Sequence, residues 1–112
     1  MNQVKIERIN SSLQEQISYI LATEVKNPDI KFVTITGVKT ASDLGSAKVY
    51  FTVLDNEKRK QTLDALKEAS GFIRHELRER VDIRQIPELK FIYDESIEYG
   101  MRIEETISKL HE

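Results

Sequence analysis

Hydrophobic residues near the start of the chain recur three or four positions apart, the spacing of a helix that packs one face on a core. This spacing predicts a long first helix. The helix should end before Pro28, because the residue preceding a proline is pushed out of helical geometry. The apolar stripe consists of Ile6, Ile9, Leu13, Ile17, Ile20 and Leu21.

The pattern then changes to the two-residue alternation of β-strands, in two segments joined by a short turn at residues 42–45. In the first segment, residues 31–40, alternation predicts that Val33 and Ile35 lie on one face of the strand. The opposite face should carry Phe32, Thr34, Thr36 and Val38. The second should pair with it as an antiparallel hairpin. Its predicted core face is Ala47, Val49, Phe51 and Val53, and its opposite face is Lys48, Tyr50 and Thr52.

The second half of the chain predicts two helical segments, a strand and a last helix. Asp55-Asn56 is a candidate cap for the first helical segment. The residues predicted to face the core are Leu63, Leu66 and Ala69 in the first segment and Phe72, Ile73, Leu77 and Val81 in the second. Ala69-Ser70-Gly71 lies between them. Because glycine costs a helix interior about 1 kcal/mol relative to alanine, we predict a break or kink there. Pro87 ends helical structure, residues 89–93 form a third strand, and a final helix follows from Ser96.

The element order is therefore helix, strand, strand, helix, kink, helix, strand and C-terminal helix. This order predicts an α+β fold with helices packed on a three-stranded sheet. Neither an internal repeat nor a long linker divides the sequence, so we expect a single domain over residues 1–112.

Composition narrows the functional classes. The chain has no cysteine, which removes disulfides and thiolate chemistry. No apolar run is long enough for a signal peptide or a membrane span, so we expect a cytoplasmic protein without a membrane partner. The only histidines are His75 and His111, and neither has ligands at metal-binding spacing. We therefore expect no cofactor, no metal and no catalytic residue.

Charge is unevenly distributed although the net charge is only -2. Residues 57–84 hold eight Lys or Arg against six acids, whereas residues 85–112 hold seven acids against three bases. Arg74 and Arg78 share one helix face, and Arg80 and Arg84 extend the positive charge, which suits phosphate oxygens. The alternative is that Arg78 and Arg80 pair with Glu76, Glu79 or Asp82 and only solubilise the helix.

Two helices joined at a glycine between two strands resemble the core of the KH nucleic-acid-binding fold, in its type II order. The chain also resembles the bacterial ribosome-binding factor A family over nearly its whole length. The matching segments are Arg8, Thr34-Ile35-Thr36-Gly37-Val38, Ser42-Asp43-Leu44, Ala47-Lys48-Val49-Tyr50, Ala69-Ser70-Gly71-Phe72-Ile73-Arg74, Arg84-Gln85-Ile86-Pro87-Glu88-Leu89-Lys90-Phe91 and Asp94-Glu95-Ser96.

The resemblance implies a non-catalytic assembly factor for the 30S ribosomal subunit. Such a factor binds the free or immature subunit, assists 5′-end maturation of 16S ribosomal RNA and supports growth at low temperature. Ribosomal proteins or other assembly factors are further expected partners, and we expect a monomer. One departure is Asn27-Pro28-Asp29, where the family pattern has Asp-Pro-Arg, so a basic residue is missing from this turn.

The sequence-based hypothesis is that the kink at Ala69, Ser70 and Gly71 lets an RNA backbone approach Gly71. The predicted RNA-binding residues are Lys5, Arg8, Lys39, Lys48, Ser70, Gly71, Arg74, Arg78 and Arg84. Two alternatives stay open at this point. Gly71 could instead be required by close helix packing, and Tyr50 with the acidic last helix could make the chain a protein-interaction module.

Overall fold

The computed structural model describes residues 3–96, which form two long helices and one sheet. Two short 3-10 turns precede the first strand and the second helix, at Pro28–Ile30 and Asn56–Lys58. The main elements are α1 (Gln3–Thr23), β1 (Val33–Thr40), β2 (Ser46–Val53), α2 (Arg59–Arg80) and β3 (Glu88–Tyr93). The predicted C-terminal helix lies outside the described residues.

The three strands lie in the order β1-β2-β3, and both helices pack on one face of this sheet. β1 and β2 form the predicted antiparallel hairpin. β3 pairs with β2 in parallel, and α2 makes the crossover that a parallel pair requires. The core between helices and sheet includes the fully buried Leu13, Ile17, Phe51, Leu66 and Ile73. The predicted α+β class, with helices on a three-stranded sheet, is confirmed.

The two helices predicted on either side of Ala69-Ser70-Gly71 form one uninterrupted helix, α2. The predicted division into two helices is therefore wrong. Burial explains the continuity: Leu66 and Ile73, one on each side of the glycine, are both fully buried. Packing of this kind outweighs a penalty of about 1 kcal/mol for glycine.

Phe72 does not face the core as predicted but is 43% exposed. Ile73, Leu77 and Val81 are buried as expected. A helix turns 100° per residue, so once Ile73 takes the centre of the buried face its neighbour Phe72 lies at the side.

A β-bulge overturns the predicted faces of β1. Ile35 pairs with Phe51 while Gly37 pairs with Tyr50, so Thr36 is an extra residue in β1. An extra residue reverses the alternation beyond it. Val38 is consequently buried on the same face as Ile35, not opposite to it. The bulge also sends Lys39 to the open face, away from the helices.

Candidate nucleic-acid interface

Three of the predicted arginines line one groove. Arg74 and Arg78 come from α2, and Arg84 comes from the loop between α2 and β3. The other lining residues are Ile83, Gln85 and Ile86, and the groove encloses about 510 Å³. The chain folds back here because α2 ends at Arg80 and the loop must return to the start of β3. We call this the arginine groove.

Arg74 holds the loop side of the groove in place. Its Nη2 donates a hydrogen bond to the backbone carbonyl of Ile86 over 3.0 Å. Its Nε is buried and has no hydrogen-bond partner within residues 3–96. Part of this guanidinium is thus committed to the fold, while its Nε retains an unused donor.

Arg78 and Arg84 are exposed, and neither forms an ion pair with another residue of the described range. Their guanidinium groups are available to an anion. Arginine offers a planar fork of donors that matches two phosphate oxygens at once. The arrangement can therefore hold a phosphate at the open mouth of the groove.

Arg80, by contrast, is used inside the protein. Its Nη2 lies 3.4 Å from Oε1 of Glu24 and 3.6 Å from Oε2 of Glu76, and its guanidinium lies 5.0 Å from the ring centroid of Tyr19. These contacts tie the end of α2 to the end of α1. The expectation that Arg80 extends a free positive surface is wrong, and the ion-pair alternative holds for this residue.

A second depression adjoins the arginine groove. Lys5 and Arg8 of α1 line it, and it encloses about 310 Å³. Arg84 and Ile83 line both depressions, so the two form one continuous surface. Asp82 is the acid in its lining. The structure thus joins Lys5 and Arg8 to the arginines, although α1 is distant from them in sequence.

Lys39 and Lys48 do not belong to this surface. They lie directly opposite each other on β1 and β2 and are exposed on the open face of the sheet. Lys90, which the sequence-based hypothesis did not include, lies opposite Lys48 on β3. The parallel register of β2 and β3 brings Lys90 there, and no local signal in the sequence encodes that register.

Ser70 and Gly71 lie on an accessible part of α2. Gly71 is exposed, and a Cβ built on it meets no atom of the described chain within 4 Å. The packing explanation for this glycine is therefore not supported. Gly71 is three residues before Arg74 and seven before Arg78, so it shares their helix face. The Ser70 hydroxyl donates to the Lys67 carbonyl over 2.8 Å, a bond of a kind that often bends helices, and the kink stays a prediction.

Metal-binding clusters and membrane-spanning helices are both absent from residues 3–96. Residues 3–96 contain no group of three His, Cys, Asp or Glu side chains that could hold a metal ion. None of the helices within this range is long and apolar enough to cross a membrane.

Comparison with known proteins identifies the family. The family model described as ribosome-binding factor A matches residues 5–107. The chain belongs to the ribosome-binding factor A family. The ribosome-binding factor A of Staphylococcus epidermidis is 48% identical over 112 residues, which cover 99% of this chain and 97% of that protein.

Solved structures agree with this membership in the ribosome-binding factor A family. A Thermotoga maritima protein, provisionally named ribosome binding factor A, has a TM-score of 0.72 at 28% identity and covers 86% of this chain and 93% of its own. A homology model of Thermus thermophilus ribosome binding factor A, fitted into a cryo-electron microscopy map of a 30S complex, has a TM-score of 0.60. It is 22% identical and covers 80% of this chain and 91% of its own, a likeness that concerns the fold alone.

Proposed function

We propose that this protein binds the free or immature 30S ribosomal subunit and assists its late assembly, including 5′-end maturation of 16S ribosomal RNA. The observation that carries the proposal is the arginine groove, where Arg74, Arg78 and Arg84 surround one concave site. The protein acts by binding alone, as one domain and one copy, in the cytoplasm.

The shape of the groove suits an RNA backbone. A phosphate at its mouth would reach the unpaired guanidinium groups of Arg78 and Arg84. The neighbouring backbone would run along α2 past Gly71, where no side chain blocks the approach. The Ser70 hydroxyl donates to the Lys67 carbonyl and could therefore accept a hydrogen bond from a ribose 2′-hydroxyl at the same place. Lys5 and Arg8 then continue the contact beyond Arg84.

Family membership supports the choice of partner. Relatives that share nearly the full length of this chain are named ribosome-binding factor A, and a Thermus thermophilus member was fitted into a map of a 30S complex.

The non-catalytic role is supported by the chemistry of the groove, since arginine and aliphatic side chains supply neither a nucleophile nor a general base. A role in growth at low temperature is part of the same proposal.

Gradient co-sedimentation with separated ribosomal particles tests the proposal. We expect the protein to travel with free 30S subunits and not with 70S ribosomes. Replacing Arg78→Gln and Arg84→Gln together should lower 30S affinity at least about tenfold, because each charge-assisted contact contributes about 1.5–3 kcal/mol in a protein. The matched control is Lys58→Gln with Lys60→Gln, which removes the same charge at the other end of α2.

Equal binding of wild-type protein to 30S and 70S particles would contradict the assembly role. An equal loss of 30S affinity in the arginine variant and in the lysine control would show that the arginine groove does not contact the 30S subunit. If the arginine variant binds 30S subunits like wild type, the protein-interaction alternative replaces RNA contact at this groove. Rescue of a cold-sensitive deletion strain by wild type, but not by the arginine variant, would connect the groove to growth.

A further inference from the structure

Three lysines form a straight row across the open face of the sheet. Lys39 on β1 pairs with Lys48 on β2, and Lys48 pairs in turn with Lys90 on β3. Residues paired across neighbouring strands project from the same face. Strands lie about 4.8 Å apart, so the row is about 10 Å long. All three lysines are exposed on the face that neither α1 nor α2 covers.

The row contains no compensating acid. None of its lysines forms an ion pair or hydrogen bond with another residue of the described chain. Glu88 lies two positions before Lys90 on β3 and makes no ion pair with the row. Like charges placed directly opposite each other destabilise a sheet. Three such charges in register therefore oppose folding and favour a polyanionic partner.

The next row along the sheet offers an aromatic surface beside these charges. Gly37, Tyr50 and Ile92 pair across the three strands in the same way. Gly37 has no side chain, and a Cβ there would meet no atom of the described residues within 4 Å. Tyr50 is half-buried and Ile92 is 37% exposed. Tyr50 is therefore partly accessible, and its β1 neighbour has no side chain that could cover it.

We propose that this open face, defined by Lys39, Lys48, Lys90 and Tyr50, binds single-stranded RNA as a second surface separate from the arginine groove. The lysines contact successive phosphates and a base stacks on Tyr50. Stacking on an aromatic residue flanked by basic side chains is how sheets bind unpaired strands. The inference rests on the proposed function in that the RNA belongs to the ribosomal subunit.

The chemistry of the face favours RNA over an acidic protein segment. Phosphates repeat at regular intervals along a strand, and the flexible stems of three lysines in a row let each ammonium group reach one of them. The aromatic ring stands in the neighbouring row, where the base attached to a bound phosphate would lie. β3 also connects the two surfaces, because Ile86 lines the arginine groove and Lys90 follows four residues later, at most about 14 Å away. One strand of RNA can pass from one surface to the other around this edge.

The test uses the whole protein and a labelled single-stranded RNA of about ten nucleotides, a length within the range of known single-strand sites. The first variant carries Lys39→Gln, Lys48→Gln and Lys90→Gln. Its control, with the same change in net charge, carries Lys26→Gln, Lys58→Gln and Lys60→Gln, which are exposed elsewhere. The second pair of variants is Tyr50→Ala and Tyr50→Phe. Circular dichroism confirms that every variant is folded.

We expect the first variant to lose at least about tenfold in RNA affinity and to reduce the salt slope by about 2, since each lost single-strand phosphate contact changes it by about 0.7. The RNA affinity of the control variant should fall by less than about threefold. Tyr50→Ala should lose at least about fivefold, while Tyr50→Phe keeps wild-type affinity because its ring still stacks. Ultraviolet crosslinking should join the RNA to the peptide that contains Tyr50.

The same affinity in the two lysine variants would overturn the inference. Unchanged RNA affinity with lost 30S binding in the first variant would also overturn it, because the face would then contact a protein. Failure of wild-type protein to prefer 30S particles would instead contradict the proposed function. That outcome is separate, because RNA affinity is measured without ribosomes.

Discussion

Nη2 of Arg74 donates a hydrogen bond to the backbone carbonyl of Ile86 over 3.0 Å, which ties the middle of α2 to the loop before β3. Arg74 and Ile86 both line the arginine groove. The bond therefore sets the distance between the helix and the loop that carries Arg84. Within one groove, Arg74 acts partly as support, whereas Arg78 and Arg84 have no such internal contact with the described residues.

Arg74→Met tests this division of roles. The methionine keeps much of the aliphatic stem and removes the donor, so we expect the free energy of unfolding to fall by about 1.5–3 kcal/mol, as for other charge-assisted hydrogen bonds. Urea denaturation measures the change. Arg78→Met is the control on the same helix face and should stay within about 0.5 kcal/mol of wild type. Equal destabilisation by both variants would contradict a supporting role for Arg74.

Gly71→Ala should make the protein more stable. Gly71 lies inside α2, and the added Cβ would meet nothing within 4 Å among the described residues. Alanine should therefore raise the free energy of unfolding by about 0.5–1 kcal/mol. Thermal and urea unfolding measure this gain. Gly45→Ala is the control, and its free energy of unfolding should not rise, because the added Cβ would lie 3.2 Å from Oδ1 of Asp43.

The same Gly71→Ala variant separates stability from RNA contact. If the RNA backbone approaches Gly71 closely, 30S affinity falls although the protein is more stable. Unchanged affinity would show that the backbone does not pass this point. A loss of stability would contradict the open space seen around Gly71 and restore the packing explanation.

The sequence predicted what depends on local periodicity. The apolar stripe of α1 and the alternation of β2 identified the core faces, because helices and strands impose fixed side-chain directions. This reasoning was wrong in dividing α2 into two helices at Gly71, because the burial of Leu66 and Ile73 keeps the helix continuous. It was also wrong at Val38, because a single extra residue at Thr36 reverses the faces of the strand.

Long-range relationships could not be predicted this way. Arg80 and Arg84 look alike in the sequence, yet Glu24, 56 residues before Arg80, forms an ion pair with Arg80 and not with Arg84. The grouping of Arg84 with Lys5 and Arg8 likewise depends on how α1 packs beside the loop before β3. Tertiary packing, not residue type, thus decides which arginines can bind a partner.

Thr36→Val should change the titration of Asp94. The pKa of the Asp94 carboxyl is held below its ordinary range, chiefly by the hydroxyl of Ser96 and then by that of Thr36, with a further bond from the Ser96 amide. The hydroxyl of Thr36, at the bulge of β1, donates a hydrogen bond to Oδ2 of Asp94 over 2.6 Å. Removing this donor should raise the pKa of Asp94 toward its ordinary value of about 3.9. Carboxyl-carbon NMR titration measures the shift, and Thr34→Val is the control.

The sign of the accompanying stability effect follows from this depressed pKa. A carboxyl with a lower pKa in the folded state contributes stability that is fully present above about pH 4 and is lost as pH falls through the folded-state pKa. Thr36→Val should therefore lower the melting temperature at about pH 6 more than at about pH 2. Equal losses at both pH values would show that the Thr36–Asp94 bond is not linked to ionisation.

Lys48→Thr should stabilise the protein while weakening its hold on RNA. Lys48 stands between Lys39 and Lys90, so its removal relieves two like-charge contacts at once. Each such pair costs about 0.2–1 kcal/mol, and threonine suits a strand better than lysine. The free energy of unfolding at low salt should therefore rise, and the gain should shrink as salt screens the repulsion.

Lys67→Thr, in α2, is the charge-matched control and should not be stabilising, because threonine is a poorer helix former than lysine. A Lys48→Thr protein that is no more stable than wild type at low salt would show that the row carries no repulsion, and the case for a polyanion on this face would lose its energetic basis.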